Sequence, residues 1–324
     1  MINKTNFYIN GKWVKPLKEN TFPVINPCTE ESFATISLGT KADLDLAVSA
    51  ARNAFETWAF SDVQDRISLV TKFVELYENR SSEMGEAISM EMGAPMKLAN
   101  KRQVTAGLGH MKAFLRAMKD FKFEHSLRAD TPDEQMIYEP IGVCGLITPW
   151  NWPMNQVTLK VIPAILTGCT MILKPSEIAP MSSMLFAEWM DEVGCPAGVF
   201  NLVNGDGPTV GEAMSAHPDI DMMSFTGSTR AGIAVSKGSA NTIKKVTLEL
   251  GGKGANVIFS DSDVEAAVRR GAERVFQNSG QSCNAPTRML VEKSSYDVAI
   301  KIAKEVAEST PVDLSEKDGD HIGP

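Results

Sequence analysis

The chain has 324 residues, of which 43% are hydrophobic, and this length suggests two domains at roughly 150 residues each. Its formal net charge is −8 and its basic residues are scattered, which argues against a protein that coats nucleic acid or an anionic membrane. The longest uncharged apolar run, Val161 to Leu173, has 13 residues, whereas a membrane span needs roughly 20. The polar N-terminus carries no apolar signal core, so we expect a cytoplasmic protein.

Short strands and turns are predicted for the first forty residues, and three or four helices follow. Thr40 and Asp43 have the spacing of a capping box at the start of "KADLDLAVSAARNAFETW". Apolar residues at helical spacing predict a second helix from about Asp62 to Asn79, and a further helix is predicted from Ala99 to Lys119. Residues 122–140 are predicted to form an extended excursion that contains a turn.

A different pattern begins at Ile141, where strand-like runs recur every 22 to 30 residues, roughly. The runs are "IGVCGLIT", "CTMILKP", "VFNLVNG", "DMMSFTG" and "KKVTLELGG", and each of the first four is followed by a helical stretch. This alternation predicts βαβ units on a parallel sheet, and therefore an α/β fold. Ligands of such sheets bind beyond the carboxyl ends of the strands, so the residues after each strand are the candidates for function.

Polar residues follow the first two predicted strands. Asn151, in "TPWNWP", carries an amide that could stabilise an oxyanion, although it could equally form an Asx turn before the next helix. Lys174 and Glu177, in "KPSE", could bind a ribose, and a carboxylate there would favour NAD over NADP. The alternative for this pair is an ordinary helix start, with proline and glutamate in the first turn.

Glycines follow the fourth and fifth predicted strands. Gly227 and Gly232, in "FTGSTRAG", bracket a turn into a helix whose N-terminus could bind a phosphate, or which could be a simple βα turn. Glu249, in "LELGGKG", lies in an apolar run, and we expect it to be sequestered from water. A carboxylate in such a place is paired, protonated or tuned as a base, unless it is structural.

Cys283 follows the predicted strand "NVIFS" and the predicted helix "DVEAAVRRGAERVFQN". The chain has five cysteines and no CxxC pair, which argues against a metal site or a full disulfide framework, so Cys283 is a buried small side chain or a nucleophile. As a nucleophile it would need neighbours from elsewhere in the fold to ionise, because no histidine is near it in sequence. A strand "RMLVE", a helix from Tyr296 to Glu308 and a loop "SEKDGDHIGP" complete the prediction.

Five of these motifs, "TPWNWP", "KPSE", "FTGSTRAG", "LELGGK" and "GQSCNAPTR", stand in the order and at the separations found in the NAD(P)-dependent aldehyde dehydrogenase superfamily. The chain resembles that family from its N-terminus to its last residue. The resemblance implies an aldehyde dehydrogenase-like fold, with a Rossmann-type parallel sheet, flanking helices, a bridging hairpin and part of an α/β catalytic domain. It also implies NAD as the cofactor, with NADP less favoured, and a small aldehyde as the substrate.

The resemblance further implies roles for individual residues. Cys283 would attack the aldehyde to give a thiohemiacetal and then a thioester, Asn151 and the Cys283 N–H would hold the oxyanion, and Glu249 would be the general base. Lys174 and Glu177 would bind the adenosine ribose, and Ser228 would lie at the pyrophosphate. The remaining cofactor-binding residues would be Thr148, Pro149, Trp150, Gly227 and Leu250. Gly254 departs from the Ser, Asp or Asn usual in relatives, and we expect little consequence.

The same resemblance predicts the domain organisation. Residues 1–121 and 141–251 would form the dinucleotide-binding domain, 122–140 a hairpin that joins subunits into a dimer or tetramer, and 252–324 the first part of the catalytic domain. Only 41 residues follow Cys283, whereas relatives continue well beyond, so we expect a chain truncated at its C-terminus. The alternatives are a non-catalytic NAD-binding protein of the same family and a cysteine-dependent esterase without hydride transfer.

Overall fold

The computed structural model describes residues 1–317 and 319–324. The N-terminal segment forms short strands, as predicted. They are β1 (Ile2–Lys4), β2 (Phe7–Ile9), β3 (Lys12–Val14), β4 (Thr21–Asn26) and β5 (Glu31–Ser37). Strands β1, β5 and β4 form a separate three-stranded sheet, whereas the β2–β3 hairpin extends the large sheet described below.

A helical layer follows. It contains α1 (Lys41–Trp58), α2 (Val63–Asn79), α3 (Ser81–Met92), α4 (Met96–Leu98), a π-helical segment (Ala99–Val104) and α5 (Thr105–Met118). The predicted capping box is confirmed, because the Thr40 hydroxyl accepts from the Asp43 N–H and the Asp43 carboxylate accepts from the Thr40 N–H. The helix predicted from Ala99 to Lys119 is present, but its first part is π-helical and α-helical geometry begins at Thr105.

The predicted excursion is an antiparallel hairpin of β6 (Glu124–Arg128) and β7 (Thr131–Ile137). Its residues are exposed, apart from the half-buried Thr131. The hairpin therefore projects from the body of the molecule with both outer strand edges unpaired among the described residues.

The large sheet has seven strands, and the five strands predicted in the repeating pattern from Ile141 to Gly252 all belong to it. The elements are β8 (Val143–Ile147), α6 (Pro153–Leu166), β9 (Thr170–Lys174), α7 (Met181–Glu192), β10 (Phe200–Leu202), α8 (Glu212–Ala216), β11 (Met222–Gly227), α9 (Thr229–Ser239) and β12 (Lys245–Leu250). Every residue of β8 and β9 is buried, which explains why both read as continuous apolar runs.

The strand order is β12–β11–β8–β9–β10–β2–β3, with β8 to β12 mutually parallel and β2 antiparallel to β10. From β8 the chain proceeds outward through β9 and β10, and it then returns to place β11 on the other side of β8. The neighbours β8 and β11 thus mark the point where the strand order reverses, and a crevice opens there beyond the carboxyl ends.

A smaller α/β unit follows the large sheet, and the predicted strands and helices of this part are confirmed. It contains β13 (Ala255–Ile258), α10 (Val264–Phe276), β14 (Arg288–Val291) and α11 (Tyr296–Ser309), with β13 and β14 parallel. Its buried core consists of Ile258, Val268, Ala299 and Ile302. The final segment packs back on the helical layer, where the Met96 N–H donates to the Ser315 carbonyl. Residue 318 of the predicted closing loop lies outside the described residues.

Candidate active site

A cavity of about 580 Å³ opens at the carboxyl edge of the large sheet, at the β8–β11 reversal. Its walls come from three places in the sequence: the loop after β8, the ends of β11 and β12 with the glycines that follow, and the loop from Gly280 to Cys283. The sheet therefore brings together motifs that lie up to 130 residues apart, as the Asn151–Gln281 contact shows. All three predicted catalytic residues, Asn151, Glu249 and Cys283, line this cavity.

Cys283 is the exposed thiol of the described residues, whereas Cys28 is half-buried and the other three cysteines are buried. The loop that carries it begins with a left-handed turn, in which Asn278, Ser279 and Gly280 have φ values of 58°, 54° and 72°. Left-handed backbone is unfavourable for a residue with a side chain, and asparagine is among those that tolerate it best. The loop therefore has a specific backbone shape, and Cys283 at its end lines the cavity.

Asn151 is half-buried and follows β8, where it is tied to the thiol loop. Its Nδ2 donates to the carbonyl of Gln281 at 3.0 Å, two residues before Cys283. A side-chain amide nitrogen carries two hydrogens, so this contact fixes the amide and leaves the second N–H for another acceptor. Beside it, Trp152 Nε1 donates to the Ser282 hydroxyl at 2.8 Å.

The expectation that Glu249 is sequestered from water is wrong, because its side chain is exposed. Glu249 lies near the end of β12, which forms one edge of the large sheet and pairs only with β11 within the described residues. The run "VTLEL" is apolar enough to resemble a buried strand, but only one side of this edge strand is paired. Glu249 still borders the cavity, so it contacts the same space as Cys283.

The turn after β11 presents a helix N-terminus to the cavity. Ser228 is the N-cap of α9, and its hydroxyl accepts from the Ala231 N–H at 3.2 Å. Gly232 packs against Leu250, and a Cβ at this position would lie 2.7 Å from the end of the Leu250 side chain, which would have to shift. Gly227, Ser228 and Leu250 all line the cavity, as do Pro149 and Trp150 from the opposite wall.

Three predicted cofactor residues do not line the cavity of the described structure. Thr148 is buried, and its N–H donates to the Lys174 carbonyl at 3.2 Å. Lys174 is also buried, and its Nζ donates to the carbonyls of Pro175 and Gly205 and lies 3.5 Å from the Glu177 carboxylate. Burial lowers the pKa of Lys174, and the charge of Glu177 opposes that effect.

Two residues of the site region were not predicted from the sequence. Lys160 is only 8% exposed, and its Nζ donates to the Ser224 hydroxyl at 2.9 Å. Burial lowers the pKa of Lys160 to about 8, while the negative charge of Glu249 acts in the opposite sense. Because Lys160 is a charged residue in the apolar helix α6, the sequence alone could have marked it as a candidate functional residue. The second residue, Gln103, offers no such signal, because its partners lie at distant positions.

Within the described residues, no group of three or more His, Cys, Asp or Glu side chains could hold a metal ion. The described helices also include none that is long and apolar enough to cross a membrane. The cavity is lined by a thiol, an amide, a carboxylate and a helix N-terminus, together with further polar side chains such as Gln156 and Lys253.

The fold and the site define a doubly wound α/β protein with an exposed thiol at the carboxyl edge of its sheet. The profile of the aldehyde dehydrogenase family matches residues 13–324, and the chain belongs to that family. It is 50% identical over 319 residues to the 3-succinoylsemialdehyde-pyridine dehydrogenase of a Pseudomonas species, covering 98% of this chain and 66% of that protein.

Solved structures agree with this assignment. An aldehyde dehydrogenase from Bartonella henselae superposes with a TM-score of 0.98 at 57% identity, covering 100% of this chain and 68% of that one. A mutant of aldehyde dehydrogenase C from Pseudomonas syringae, solved with NAD+ and octanal, superposes with a TM-score of 0.93 at 44% identity, covering 96% of this chain and 63% of that one. The predicted family and fold are confirmed, and the chain spans about two thirds of the length of these relatives.

Proposed function

We propose that the protein oxidises an aldehyde to a carboxylic acid, with NAD as the cofactor and Cys283 as the nucleophile. The observation that carries the proposal is the meeting of an exposed thiol, a fixed amide and an exposed carboxylate at one cavity beside a helix N-terminus. Relatives with the same fold are aldehyde dehydrogenases, and one of them was solved with NAD+ and an aldehyde.

The residues at the cavity fit a dinucleotide. The N-terminus of α9 faces the space with unpaired N–H groups and the positive end of its dipole, which favours a pyrophosphate. A Cβ on Gly251 would meet no atom within 4 Å, so the backbone there is open to close approach by a ligand. Lys174 and Glu177 remain our candidates for binding the adenosine ribose. Thr148 remains a candidate cofactor-binding residue beside them, since its N–H donates to the Lys174 carbonyl. NAD+, when bound, accepts the hydride that the substrate releases.

Side chains and backbone groups of this protein would carry out the remaining steps. Cys283 would first lose its thiol proton to solvent and then add to the carbonyl carbon as the thiolate, and the resulting oxyanion would accept from the free N–H of Asn151 and from the Cys283 N–H. After the hydride has left, the acyl group would stay on Cys283 as a thioester. Glu249 would then take a proton from the water that cleaves the thioester, which yields the acid and restores the thiol.

The test is Cys283→Ser, assayed by aldehyde-dependent formation of NADH, with octanal as the first substrate. We expect turnover to fall at least ~10³-fold while NAD binding, measured by calorimetry, is retained. NAD binding by the unmodified protein without turnover of any aldehyde would favour the non-catalytic alternative. Ester cleavage that depends on Cys283 but not on NAD would favour the esterase alternative.

The division of labour between segments is part of the proposal. Residues 1–121 and 141–251 would bind the dinucleotide, and residues 252–324 would supply the thiol. We also propose that the exposed hairpin of residues 122–140 binds a second copy of this chain, because its strand edges are unpaired and Leu127, Ile137 and Tyr138 are exposed. Light scattering should then show a dimer or tetramer that the double substitution Leu127→Lys, Ile137→Lys converts to a monomer, and a monomeric parent protein would contradict this.

A further inference from the structure

Gln103 is a completely buried amide in the π-helical segment that precedes α5. π-Helical turns are rare and are frequently found at functional sites. A buried amide costs free energy unless it is hydrogen-bonded, and Gln103 Nε2 donates to Asn278 Oδ1 at 2.7 Å and to the Asn151 carbonyl at 3.1 Å. Gln103 thus contacts both loops that carry the candidate catalytic groups.

The orientation of the Gln103 amide is determined by these partners. Both are oxygens that only accept, so the nitrogen must face them, and reversal would set three oxygens against one another. The other end of the amide, Oε1, has no hydrogen-bond partner among the described residues.

Asn278 relays the contact. It is 1% exposed and begins the left-handed turn that leads to Cys283. With its Oδ1 held by Gln103, its Nδ2 must face the other way, where it donates to the Asn151 carbonyl at 2.8 Å and to the Gln281 carbonyl at 3.1 Å. Asn151 Nδ2 donates to the same Gln281 carbonyl, so the network closes on itself.

We propose that Gln103 is a positioning residue, which sets the separation between the Asn151 amide and the Cys283 sulfur by fixing the Asn278 side chain. The inference rests on the proposed function, since it concerns the geometry of that reaction. Gln103 is not among the residues that line the cavity, and it acts through its hydrogen bonds to the Asn278 side chain and the Asn151 carbonyl. Small displacements of reacting groups are costly, and about 1 Å can lower the rate by ~10²-fold.

The test uses Gln103→Met, which keeps the length of the side chain and removes both donors. We expect kcat to fall ~10- to 100-fold while KM for NAD is unchanged, because Gln103 has no hydrogen bond to the side chains of the proposed cofactor-binding residues. The matched control is Asn201→Leu. Asn201 is an equally buried amide on β10 that donates to the carbonyls of Met171 and Gly198, and its removal should lower the melting temperature without a comparable loss of kcat.

A double-mutant cycle with Asn278→Gly decides whether the effect passes through Asn278. Glycine keeps the left-handed backbone and deletes the amide. If Gln103 acts mainly through Asn278, the double variant should lose much less kcat than the sum of the two single losses, and only the direct bond from Gln103 to the Asn151 carbonyl should add to the effect of Asn278→Gly. Additive losses, or an equal loss of kcat in Asn201→Leu, would overturn the proposal.

Alkylation of Cys283 by iodoacetamide, located by mass spectrometry, separates this inference from the proposed function. We expect Gln103→Met to change the alkylation rate several-fold, with Asn201→Leu unchanged. This measurement does not need turnover, so it decides the positioning role even if the protein proves unable to oxidise aldehydes. An alkylation rate in Gln103→Met equal to that of the parent protein would count against the network.

Discussion

The two parts of the molecule that meet at the site are stabilised in different ways. In the large sheet, β8 and β9 are buried at every position and pack between two extensive apolar clusters. In residues 252–324 the buried core is small, and apolar side chains such as Val257 and Leu290 are at least half exposed. The thiol therefore lies on the less well packed part, and it depends on contacts with the better packed part for its position.

Those contacts are polar and specific. They are the network of Gln103, Asn278 and Asn151 and the bond from Trp152 to Ser282. Hydrogen bonds depend on direction as well as distance, so they can hold a loop in one shape where a small apolar core cannot. This comparison predicts that the same kind of substitution has different consequences in the two parts.

The largest contrast should come from truncating one isoleucine in each part. Ile172→Ala, in the fully buried strand β9, should lower the free energy of unfolding of the whole protein by about 2–5 kcal/mol. Ile302→Ala, in α11, should cost less because the surrounding core is shallow and can collapse onto the space. Urea unfolding and hydrogen exchange measure both, with NAD binding retained in Ile302→Ala. Equal losses in the two variants would contradict the comparison.

The second prediction concerns the amide that joins the two parts. Asn151→Ala removes the hydrogen bond to the Gln281 carbonyl and the proposed oxyanion donor, so kcat at saturating NAD should fall ~10²–10³-fold in a folded protein. Asn155→Ala is the control, because this neighbouring amide on α6 contacts His110 instead of the cavity. Undiminished turnover in Asn151→Ala would remove Asn151 from the mechanism.

The third prediction uses a buried acid of the better packed part. Glu91, on α3, accepts from the Met181 and Ser182 N–H groups and from the Ser182 hydroxyl, and it is 1% exposed. Burial raises the pKa of Glu91 from 4.5 to about 7, against the effect of these hydrogen bonds. The folded state thus binds a proton more tightly than the unfolded state does.

The sign of the pH effect follows. The stabilisation is complete below about pH 4.5 and is lost as the pH rises through about 7, by on the order of 3 kcal/mol. Urea unfolding at pH 5 and pH 8 should show this loss in the parent protein and little of it in Glu91→Gln. Local hydrogen exchange should place the change in α3 and α7 and leave residues 252–324 unaffected. A parent and variant with the same pH slope would show that Glu91 ionises normally.

Local patterns predicted much of this fold, and tertiary context explains what they missed. Thr40 with Asp43 defined a helix start because a capping box is satisfied within four residues. The buried strands β8 and β9 were recognisable because both faces are covered. The same reasoning failed for Glu249, since an apolar run does not reveal whether a strand lies at the edge of its sheet.

The candidate site shows the same limit. Asn151 and Glu249 were predicted as candidates from motifs at strand ends and Cys283 from a motif after a helix, and the fold brings all three to one cavity. Gln103 could not be identified in this way, because its partner Asn278 is 175 residues away and only the fold joins them. The buried setting of Lys174 among backbone carbonyls was likewise invisible, since the motif "KPSE" specifies a position and not the direction of the side chain.

The smallest effect should come from Glu177, which lies wholly in the better packed part and pairs with Lys174 at 3.5 Å. Glu177→Gln removes a carboxylate that would repel a 2′-phosphate and leaves the Lys174 charge without its partner. We expect the ratio of kcat/KM for NAD to that for NADP to fall ~10-fold or less, since the side chain is partly exposed and its charge is screened. Glu192→Gln, which breaks an exposed ion pair with Arg80 on the same part, is the matched control. Because the thiol loop is held by other contacts, alkylation of Cys283 should not change in either variant. An unaltered ratio of kcat/KM for NAD and NADP would show that the ribose does not bind at Glu177. An altered alkylation rate would show that Glu177 and Lys174 also affect the position of the thiol loop, in addition to the amide network.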